Sequence, residues 1–438
     1  MARILPFQGI HYNPNKIESF ADVTAPPYDV IPETRRDEYH DRHPYNVIRL
    51  ILGQPTESDT PDNNPHTRAA RAYREWLSKN ILIKAPAPAL YLTAIDFPFR
   101  NETIRRYGLF AKVGLEPFDR KIILPHETTF SKVKSERLDL MKRCNANFSP
   151  IFSLYTDPGN ILSTLVAAAA KTPAEMDFMD DSAHRHQMWR FTDPALHQFV
   201  TQAFSEKKLF IADGHHRYET AINYRNWLKE TRPDFNGTHP ANFIMMSLVS
   251  MSDPGLVILP AHRILSSIPE ATRNAFLSRA EIYFDISTLP GGPESVSEMM
   301  SRLSSTALPH QLGVVIKEYQ TFFLLGLKPG VMDTLFGKEL PPALRHLDVT
   351  VLTRLILMEL LGVDQQQLDD EKTIAYASKE TEAIDAVITG GYDMSFILRP
   401  TKIEQVRQVS EEGLIMPRKS TYFYPKVLTG QVLNDLLP

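Results

Sequence analysis

The amino-acid sequence predicts an α+β protein whose sheets are mixed and largely antiparallel. Two apolar segments, 90–97 and 105–113, are separated by a short polar turn, which is the pattern of an antiparallel hairpin. Residues 67–80 carry apolar side chains at the spacing of one helical stripe, which predicts an amphipathic helix. An apolar strand at 208–212 runs almost directly into a helical pattern at 215–230.

The other elements are assigned in order along the chain. The first 35 residues are expected to be short strands and loops, because the prolines at 26, 27 and 32 disfavour regular helix. Further strands are predicted at 46–52, 122–124, 150–155, 187–191, 243–249 and 255–259, and further helices at 132–145, 162–171 and 194–206. The acidic stretch 173–187 is expected to be irregular.

Beyond residue 265 the pattern remains α/β. Helices are predicted at 269–283, 293–305, 348–361, 379–389 and 401–413, with strands within 312–327 and at 396–398. Asp348 is expected to cap the helix after it, and Thr401 with Glu404 to form a capping box. The 438 residues favour two or three domains. We predict an N-terminal portion, 1–265, and a C-terminal α/β portion, 266–438, that ends in a basic, aromatic tail.

The bulk composition excludes several classes of protein. A net charge of -4 argues against a broad nucleic-acid-binding surface. The chain has one cysteine, Cys144, so it can form neither an internal disulfide nor a four-thiolate zinc site, which suits a reducing cytoplasm. We find neither a signal-peptide pattern nor an apolar run that could span a membrane. We therefore expect a cytoplasmic protein without nucleic-acid or membrane partners, and leave its oligomeric state open.

The densest group of reactive side chains follows the strand at 208–212. A strand that turns tightly into a helix leaves backbone N–H groups unpaired at the helix start, where the helix dipole favours an anion. Gly214 allows the backbone to approach a ligand closely. Arg217 can donate two hydrogen bonds to phosphate or carboxylate oxygens, and His215 and His216 add donors that become cationic near an anion. The pattern predicts a phosphate site.

Two alternatives remain open for this stretch. A metal could bind His215 with Glu219, four residues later on the helix, whereas adjacent histidines point about 100° apart and rarely share one ion. Alternatively, Asp213 simply caps the helix and the histidines pack beside it. We assign no metal ligand.

Catalysis would need groups from other parts of the chain. His126 and Glu127 follow an apolar strand, and Glu127 is the first choice as a base for phosphoryl transfer, with Asp213 contacting a metal or the substrate. In the tail, Lys419 and Ser420, with Arg418 and Lys426 nearby, could clamp a phosphate.

Five stretches of the chain resemble an uncharacterised bacterial and archaeal family, domain of unknown function 1015. They are 25–30 (APPYDV), 124–127 (LPHE), 149–152 (SPIF), 212–221 (ADGHHRYETA) and 417–425 (PRKSTYFYP), and they occur in the family's order. The resemblance spans nearly the whole chain and implies no established activity.

Gly214-His215-His216-Arg217, with Ala221 after it, is also similar to the phosphate-binding turn of the ParB/sulfiredoxin superfamily, which includes free-serine kinases. This resemblance implies a nucleotide-binding turn. Sulfiredoxin needs a cysteine where this chain has His215, so its redox chemistry is not expected here. Nor do we see a helix-turn-helix of the kind that ParB uses on DNA.

The leading hypothesis is a nucleotide- or phosphate-binding protein, a kinase-like phosphotransferase or a phosphohydrolase that acts on a small polar metabolite. ATP or another nucleotide with Mg²⁺ is the expected cofactor. The alternatives are a nucleotide- or metabolite-sensing adaptor without catalysis and, third, a metal-dependent hydrolase.

Overall fold

A computed structural model describes residues 1–129, 131–305, 309–370 and 372–438. It confirms the α+β fold class, with helices packed on mixed, largely antiparallel sheets. The chain divides into two compact units: Met1–Val257 together with Pro425–Pro438, and Ile258–Tyr424. In the part of the chain that the structure describes, no helix is both long and apolar enough to cross a membrane.

The strands are numbered in chain order. They are β1 (Ile4–Leu5), β2 (Ile10–Tyr12), β3 (Leu82–Lys84), β4 (Leu90–Phe99), β5 (Glu102–Gly114), β6 (Ile123–Leu124), β7 (Ala146–Asn147), β8 (Ile151–Tyr155), β9 (Met176–Met179), β10 (Arg185–Phe191), β11 (Leu209–Asp213), β12 (Phe243–Ser250), β13 (Val257–Leu259), β14 (His262–Leu265), β15 (Phe284–Pro290), β16 (Gln311–Ile316), β17 (Thr321–Leu327), β18 (Ile374–Ala377), β19 (Met394–Ile397), β20 (Tyr422–Tyr424) and β21 (Asn434–Asp435).

The α-helices are α1 (Phe20–Val23), α2 (Glu33–Arg42), α3 (Ile48–Ile51), α4 (Pro65–Ser78), α5 (Ser131–Cys144), α6 (Ile161–Ala169), α7 (Pro194–Phe204), α8 (His215–Thr231), α9 (Glu270–Ala280), α10 (Pro293–Ser304), α11 (Val331–Phe336), α12 (Pro342–Arg345), α13 (Asp348–Thr350), α14 (Gln365–Asp369), α15 (Glu380–Ile388) and α16 (Ile403–Glu411). Short 3₁₀ turns lie at Tyr28–Val30, Phe118–Arg120 and Pro240–Asn242, and a π-helix at Val351–Leu360 continues α13.

The main sheet of the first unit has the strand order β6-β11-β8-β12-β5-β4-β10-β9, and β1 pairs with β5. The pairs β11–β6 and β12–β8 are parallel and the other pairs are antiparallel. The predicted hairpin is confirmed, because β4 and β5 pair from Tyr91↔Phe110 to Phe99↔Glu102. Ile211 of β11 and Tyr218 of α8 lie in the core between this sheet and its helices, so the strand–turn–helix segment is anchored on both sides.

The last residues of the chain return to the first unit. Leu433 and Ile10 exchange backbone hydrogen bonds of 2.7 and 2.9 Å, Thr429 pairs with Ala25, and β21 pairs with β7. The sequence had placed 425–438 in the C-terminal portion. The structure places them in the first unit, because these backbone pairings join segments hundreds of residues apart that share no local pattern.

The second unit has an antiparallel sheet in the order β15-β17-β16-β19-β14-β18, and a two-stranded sheet of β13 and β20. Helices α10 and α15 contribute Met299, Leu303, Ala383 and Val387 to its core. Strands β16, β17 and β19 and helices α10 and α15 lie where the sequence predicted strands and helices, whereas β14, β15, β18 and β20 were not anticipated. Strands β13 and β14 fall within the predicted N-terminal portion, 1–265.

Several local predictions were wrong. Residues 46–52 do not form a strand but contain α3. Its Ile48, Leu50 and Ile51 are all buried, so the apolar residues of this short segment follow neither the helical nor the strand period, and the sequence could not distinguish the two. The stretch 173–187 contains β9 and the start of β10. Asp348 caps no helix; its carboxylate accepts hydrogen bonds from His310 and Arg399. The hydroxyl of Thr401 donates to the Ser420 carbonyl, so the predicted capping box does not form.

Candidate anion-binding site

The turn between β11 and α8 is the centre of the candidate site. Strand β11 lies between the parallel strand β6 and the antiparallel strand β8, and its register against β8 shifts between Ile211 and Asp213. Gly214 then adopts the left-handed conformation, φ +95°, which a glycine enters without steric cost. The first helical hydrogen bond runs from the Tyr218 N–H to the Gly214 carbonyl at 3.0 Å.

Gly214 is the N-cap residue of α8 and has no side chain that could cap the helix. The two carboxylate oxygens of Asp213 accept from Arg217 and Lys426, so the alternative that Asp213 caps the helix is wrong. The backbone N–H groups of His215, His216 and Arg217 precede the helix's own hydrogen-bond ladder and point out of its start, as in any α-helix. They are the donors that an anion can accept from.

Asp213 instead forms ion pairs with two basic side chains. Its Oδ2 accepts from Arg217 Nη2 and its Oδ1 from Lys426 Nζ, each at 2.6 Å, and all three side chains are between 11% and 13% exposed. Burial alone would raise the pKa of Asp213, but Lys426 and Arg217 outweigh burial and hold the pKa of that carboxyl well below its usual range. Arg217 and Lys426 carry two positive charges and Asp213 carries one negative charge, so this cluster of three side chains has one surplus positive charge. Asp213 therefore holds the cations, rather than facing a metal or substrate as the sequence suggested.

The guanidinium of Arg217 packs directly against the Gly214 turn. Its Nη1 donates to the Pro150 carbonyl at 2.5 Å, and a Cβ added at Gly214 would lie 3.0 Å from the guanidinium. The predicted two-pronged contact of Arg217 with a phosphate is therefore not preformed. The guanidinium supports the turn and contributes a positive charge beside it.

A pair of buried histidines lies beside the turn, with Glu127. The His215 Nε2 accepts from the backbone N–H of His126 at 3.3 Å, and the two rings meet edge to face at 4.8 Å. Burial lowers the pKa of His126 to about 4 and that of His215 well below 6.5. Both rings are therefore neutral at pH 7, so His215 does not provide the cationic donor expected from the sequence. The Glu127 carboxylate lies 3.8 Å from His215 Nδ1 and 4.0 Å from His126 Nε2.

His216 lies on the outer side of the helix start and is partly exposed. Burial lowers its pKa, and the negative charges of Asp29, Glu127 and Glu219 oppose that shift. Glu219 accepts hydrogen bonds from Lys134 Nζ, at 2.6 Å, and from the hydroxyl of Thr129. Both contacts involve Oε2 of Glu219. The pairing of His215 with Glu219 on a metal stays a prediction.

A mainly apolar cavity adjoins the turn. Its lining includes Tyr28, Arg137, Phe148 and Ile244, and Arg217 reaches it from the anion-binding side. The Arg137 guanidinium stacks on the Tyr28 ring, 4.1 Å from its centroid.

The tail residues chosen from the sequence, Lys419 and Ser420, belong to the second unit. Lys419 is exposed in the second unit, and Ser420 is buried there, with its hydroxyl donating to the Pro417 carbonyl at 2.5 Å. Among the basic tail residues, Lys426 is the one that contacts Asp213. The sequence had named Lys426 as a possible phosphate contact, but not its pairing with Asp213, from which it is 213 residues away. Tyr28, within the stretch 25–30, and Arg137, within the helix predicted at 132–145, were not singled out as site residues.

Comparison with known families then places the chain. The family described as "Protein of unknown function (DUF1015)" matches residues 4–350, so the chain belongs to this family, as its motifs predicted. The likeness of the turn to the ParB/sulfiredoxin superfamily stays a prediction. A comparison with curated proteins finds no match.

Solved structures similar to the chain include a conserved hypothetical protein from Pyrococcus furiosus, at 12% identity, covering 73% of this chain and 92% of that one with a TM-score of 0.34. A free serine kinase in complex with AMP matches at 13% identity, 72% and 86% coverage and a TM-score of 0.33. SbnI from Staphylococcus aureus, truncated at its C-terminus, matches at 10% identity, 74% and 86% coverage and a TM-score of 0.34. Likeness this distant identifies no shared site.

Proposed function

We propose that this member of the DUF1015 family binds the phosphates of a nucleotide at the start of α8 and transfers a phosphoryl group to a small polar metabolite or to water. The observation that carries the proposal is the glycine-led helix start beside a buried cluster of Asp213, Arg217 and Lys426 that has one more positive than negative charge. The backbone N–H groups, the helix dipole and the positive charge of this cluster all favour a polyanion at the start of α8.

The neighbouring residues fit a nucleotide with Mg²⁺. The cavity at Tyr28 and Phe148 offers an apolar surface for the nucleoside. Asp29 offers carboxylate oxygens close to His216, and oxygen ligands are what Mg²⁺ takes in such sites. When bound, Mg²⁺ would neutralise charge on the phosphates.

Glu127 is the candidate base. A hydroxyl of the metabolite, or a water, attacks the terminal phosphorus. The bond from that phosphorus to its bridging oxygen breaks, the nucleoside diphosphate leaves, and the Glu127 carboxylate accepts the hydroxyl proton. The neutral His126 and His215 on the inner side of Glu127 keep that carboxylate positioned at the helix start.

The binding part of the proposal is tested by calorimetry with ATP, ADP, CTP and pyrophosphate, each with and without Mg²⁺. Arg217→Ala should weaken binding by at least about tenfold, because the turn loses its support and one charge. Arg225→Ala is the matched control: this arginine is on the same helix, is partly exposed and donates to a backbone carbonyl, that of Leu115. Unchanged affinity in Arg217→Ala, or an equal loss in both variants, would contradict the proposal.

Turnover separates an enzyme from a sensor. Arg217 and Asp213 are already held by internal hydrogen bonds, which is also compatible with binding without catalysis. If the protein is an enzyme, Glu127→Gln should bind nucleotide with wild-type affinity and lose phosphate release or transfer. A wild-type protein that binds nucleotide but releases no phosphate, across a panel of small hydroxylated metabolites, would favour the sensing adaptor.

The metal-dependent hydrolase has less support at this turn. Among the described residues, three potential ligand atoms of His, Cys, Asp or Glu come within 4.8 Å of one another at Asp180, His184 and His186, not at the β11–α8 turn.

A further inference from the structure

A second cluster of metal-ligating side chains lies on the hairpin of β9 and β10. Its residues follow the pattern Asp-x₃-His-x-His: Asp180 directly follows β9, His184 closes the turn and His186 lies in β10. The side chains of Asp180, His184 and His186 are 18%, 8% and 3% exposed. The sequence predicted an irregular segment here, so the convergence of these residues was not visible.

The turn fixes the aspartate so that one oxygen faces the histidines. Asp180 Oδ1 accepts the backbone N–H groups of Ser182 and His184, at 2.8 and 3.0 Å. Asp180 Oδ2 lies 2.9 Å from His186 Nε2 and 3.4 Å from His184 Nδ1. One carboxylate oxygen therefore meets two imidazole nitrogens, and the three atoms all lie within 4.8 Å of one another.

We propose that Asp180, His184 and His186 bind a divalent transition-metal ion of the Zn²⁺ type, which stabilises the β9–β10 hairpin. Two imidazoles and one carboxylate match the nitrogen and oxygen ligands that Zn²⁺ takes, with a fourth position for water. Ligands about 2.0–2.1 Å from a tetrahedral Zn²⁺ are roughly 3.4 Å apart. Binding therefore requires the widest separation in the cluster, up to 4.8 Å, to contract by about 1.4 Å, which is within the reach of side-chain rotation.

The surroundings hold the two rings in place. Phe178 stacks on His186, with centroids 5.1 Å apart and planes 19° apart, and Phe97 meets His184 edge to face at 6.0 Å. Gln431 Nε2 lies 3.4 Å from His186 Nδ1. With its amide turned over, Gln431 would accept a hydrogen bond from Nδ1–H and leave Nε2 free of a proton for the metal, the usual outer contact of a metal-bound histidine.

The nearby cations do not prevent binding. Arg42 forms an ion pair with Asp181, the residue after the carboxylate ligand. Arg106 donates to the Pro425 carbonyl at 2.7 Å. The charge of Arg106 also acts on His186 and weakens binding, so we expect a site of moderate affinity.

The test uses the full chain, stripped with EDTA and dialysed, then titrated with Zn²⁺. Metal analysis should find about one Zn²⁺ per chain at this site, and Zn²⁺ at about a hundred times its Kd should raise the Tm by about 5 °C. Co²⁺ in place of Zn²⁺ should give a visible absorption spectrum of nitrogen and oxygen coordination.

Asp180→Asn is the diagnostic variant. Its amide oxygen can still accept the two backbone hydrogen bonds, so the metal-free hairpin is kept, while the charged ligand is lost and affinity falls by at least about tenfold. His186→Gln, checked by circular dichroism, serves if Asp180→Asn does not fold.

His216→Gln is the control, because it removes an imidazole from the anion-binding turn instead. Loss of Zn²⁺ binding in Asp180→Asn and its retention in His216→Gln would support the site. No Zn²⁺ binding by the wild-type chain, retention in both Asp180→Asn and His186→Gln, or loss in His216→Gln alone would overturn it.

Discussion

Replacing Lys426 by methionine tests the charge of the anion-binding site most directly. Methionine keeps a similar length and apolar volume but removes the ammonium that donates to Asp213 Oδ1 at 2.6 Å. Asp213 remains paired with Arg217, so no buried carboxylate is left without a cation. The cluster changes from one surplus positive charge to neutrality, while the turn itself keeps its hydrogen bonds.

The substitution should lower both the free energy of unfolding and the affinity for nucleotide. A hydrogen bond to a charged group contributes about 1.5–3 kcal/mol, so the free energy of unfolding should fall by about 2 kcal/mol, and the Tm by about 4 °C. A unit charge roughly 7 Å from a bound phosphate, at an effective dielectric constant of about 20, contributes about 2.4 kcal/mol, which corresponds to about 50-fold in affinity. Added salt should narrow this difference.

Calorimetric titration of wild type and Lys426→Met with nucleotide measures the affinity, and thermal unfolding measures the stability. Lys419→Met is the matched control, because Lys419 is a tail lysine that is exposed in the second unit. It should change neither quantity appreciably. Equal affinity of Lys426→Met and wild type, or an equal loss in Lys419→Met, would refute the assignment of Lys426 to the site.

Three further predictions test the local chemistry. Gly214→Ala should lower the free energy of unfolding by about 1–2 kcal/mol, because φ is +95° there, and should also weaken nucleotide binding. The control is Gly330→Ala, at φ +77° with open space for a Cβ, which should lower the free energy of unfolding by a similar amount without affecting binding. Burial lowers the pKa of His126 to about 4, so between about pH 6.5 and pH 4 the unfolded chain binds a proton at this histidine and the folded protein does not. The free energy of unfolding should therefore fall by about 3 kcal/mol as pH falls from 6.5 to 4. Denaturant titrations of His126→Gln should show a shallower decline. Burial raises the pKa of Cys144 to about 12, so a thiol reagent should label it only after unfolding, and rapid labelling of the native protein would contradict this.

The sequence predicted the elements that depend on local patterns. The β4–β5 hairpin follows from two apolar segments around a short turn, and the β11–α8 unit from an apolar strand that stops at Gly214. The helix predicted at 348–361 is also buried, with Leu352, Leu355, Ile356 and Leu360 in the core. The sequence did not show that Val351–Leu360 is π-helical, a rare conformation that no local pattern marked.

The prediction was weakest where packing or distant pairing decides the structure. The α3 segment is buried on every side, so its sequence shows no difference between its faces. Strand β9 pairs with β10 at the edge of the sheet, and its alternation is hidden by Asp177 and the acidic residues after it. The role of Asp213 could not be read locally either, because one of its two cations follows it by 213 residues.

The position of Lys426 depends on the return of the tail. Three residues after it, Thr429 pairs with Ala25, and Leu433 pairs with Ile10, so the backbone that carries Lys426 is held against segments close to the N-terminus. Burial of Lys426 in turn is tolerated because Asp213 neutralises it, and Asp213 is placed by the strand that ends at Gly214. The anion-binding turn therefore has two requirements of different kinds. One is a local strand–glycine–helix pattern that a sequence shows, and the other is a terminal pairing that brings in the second cation and appears only in the folded chain.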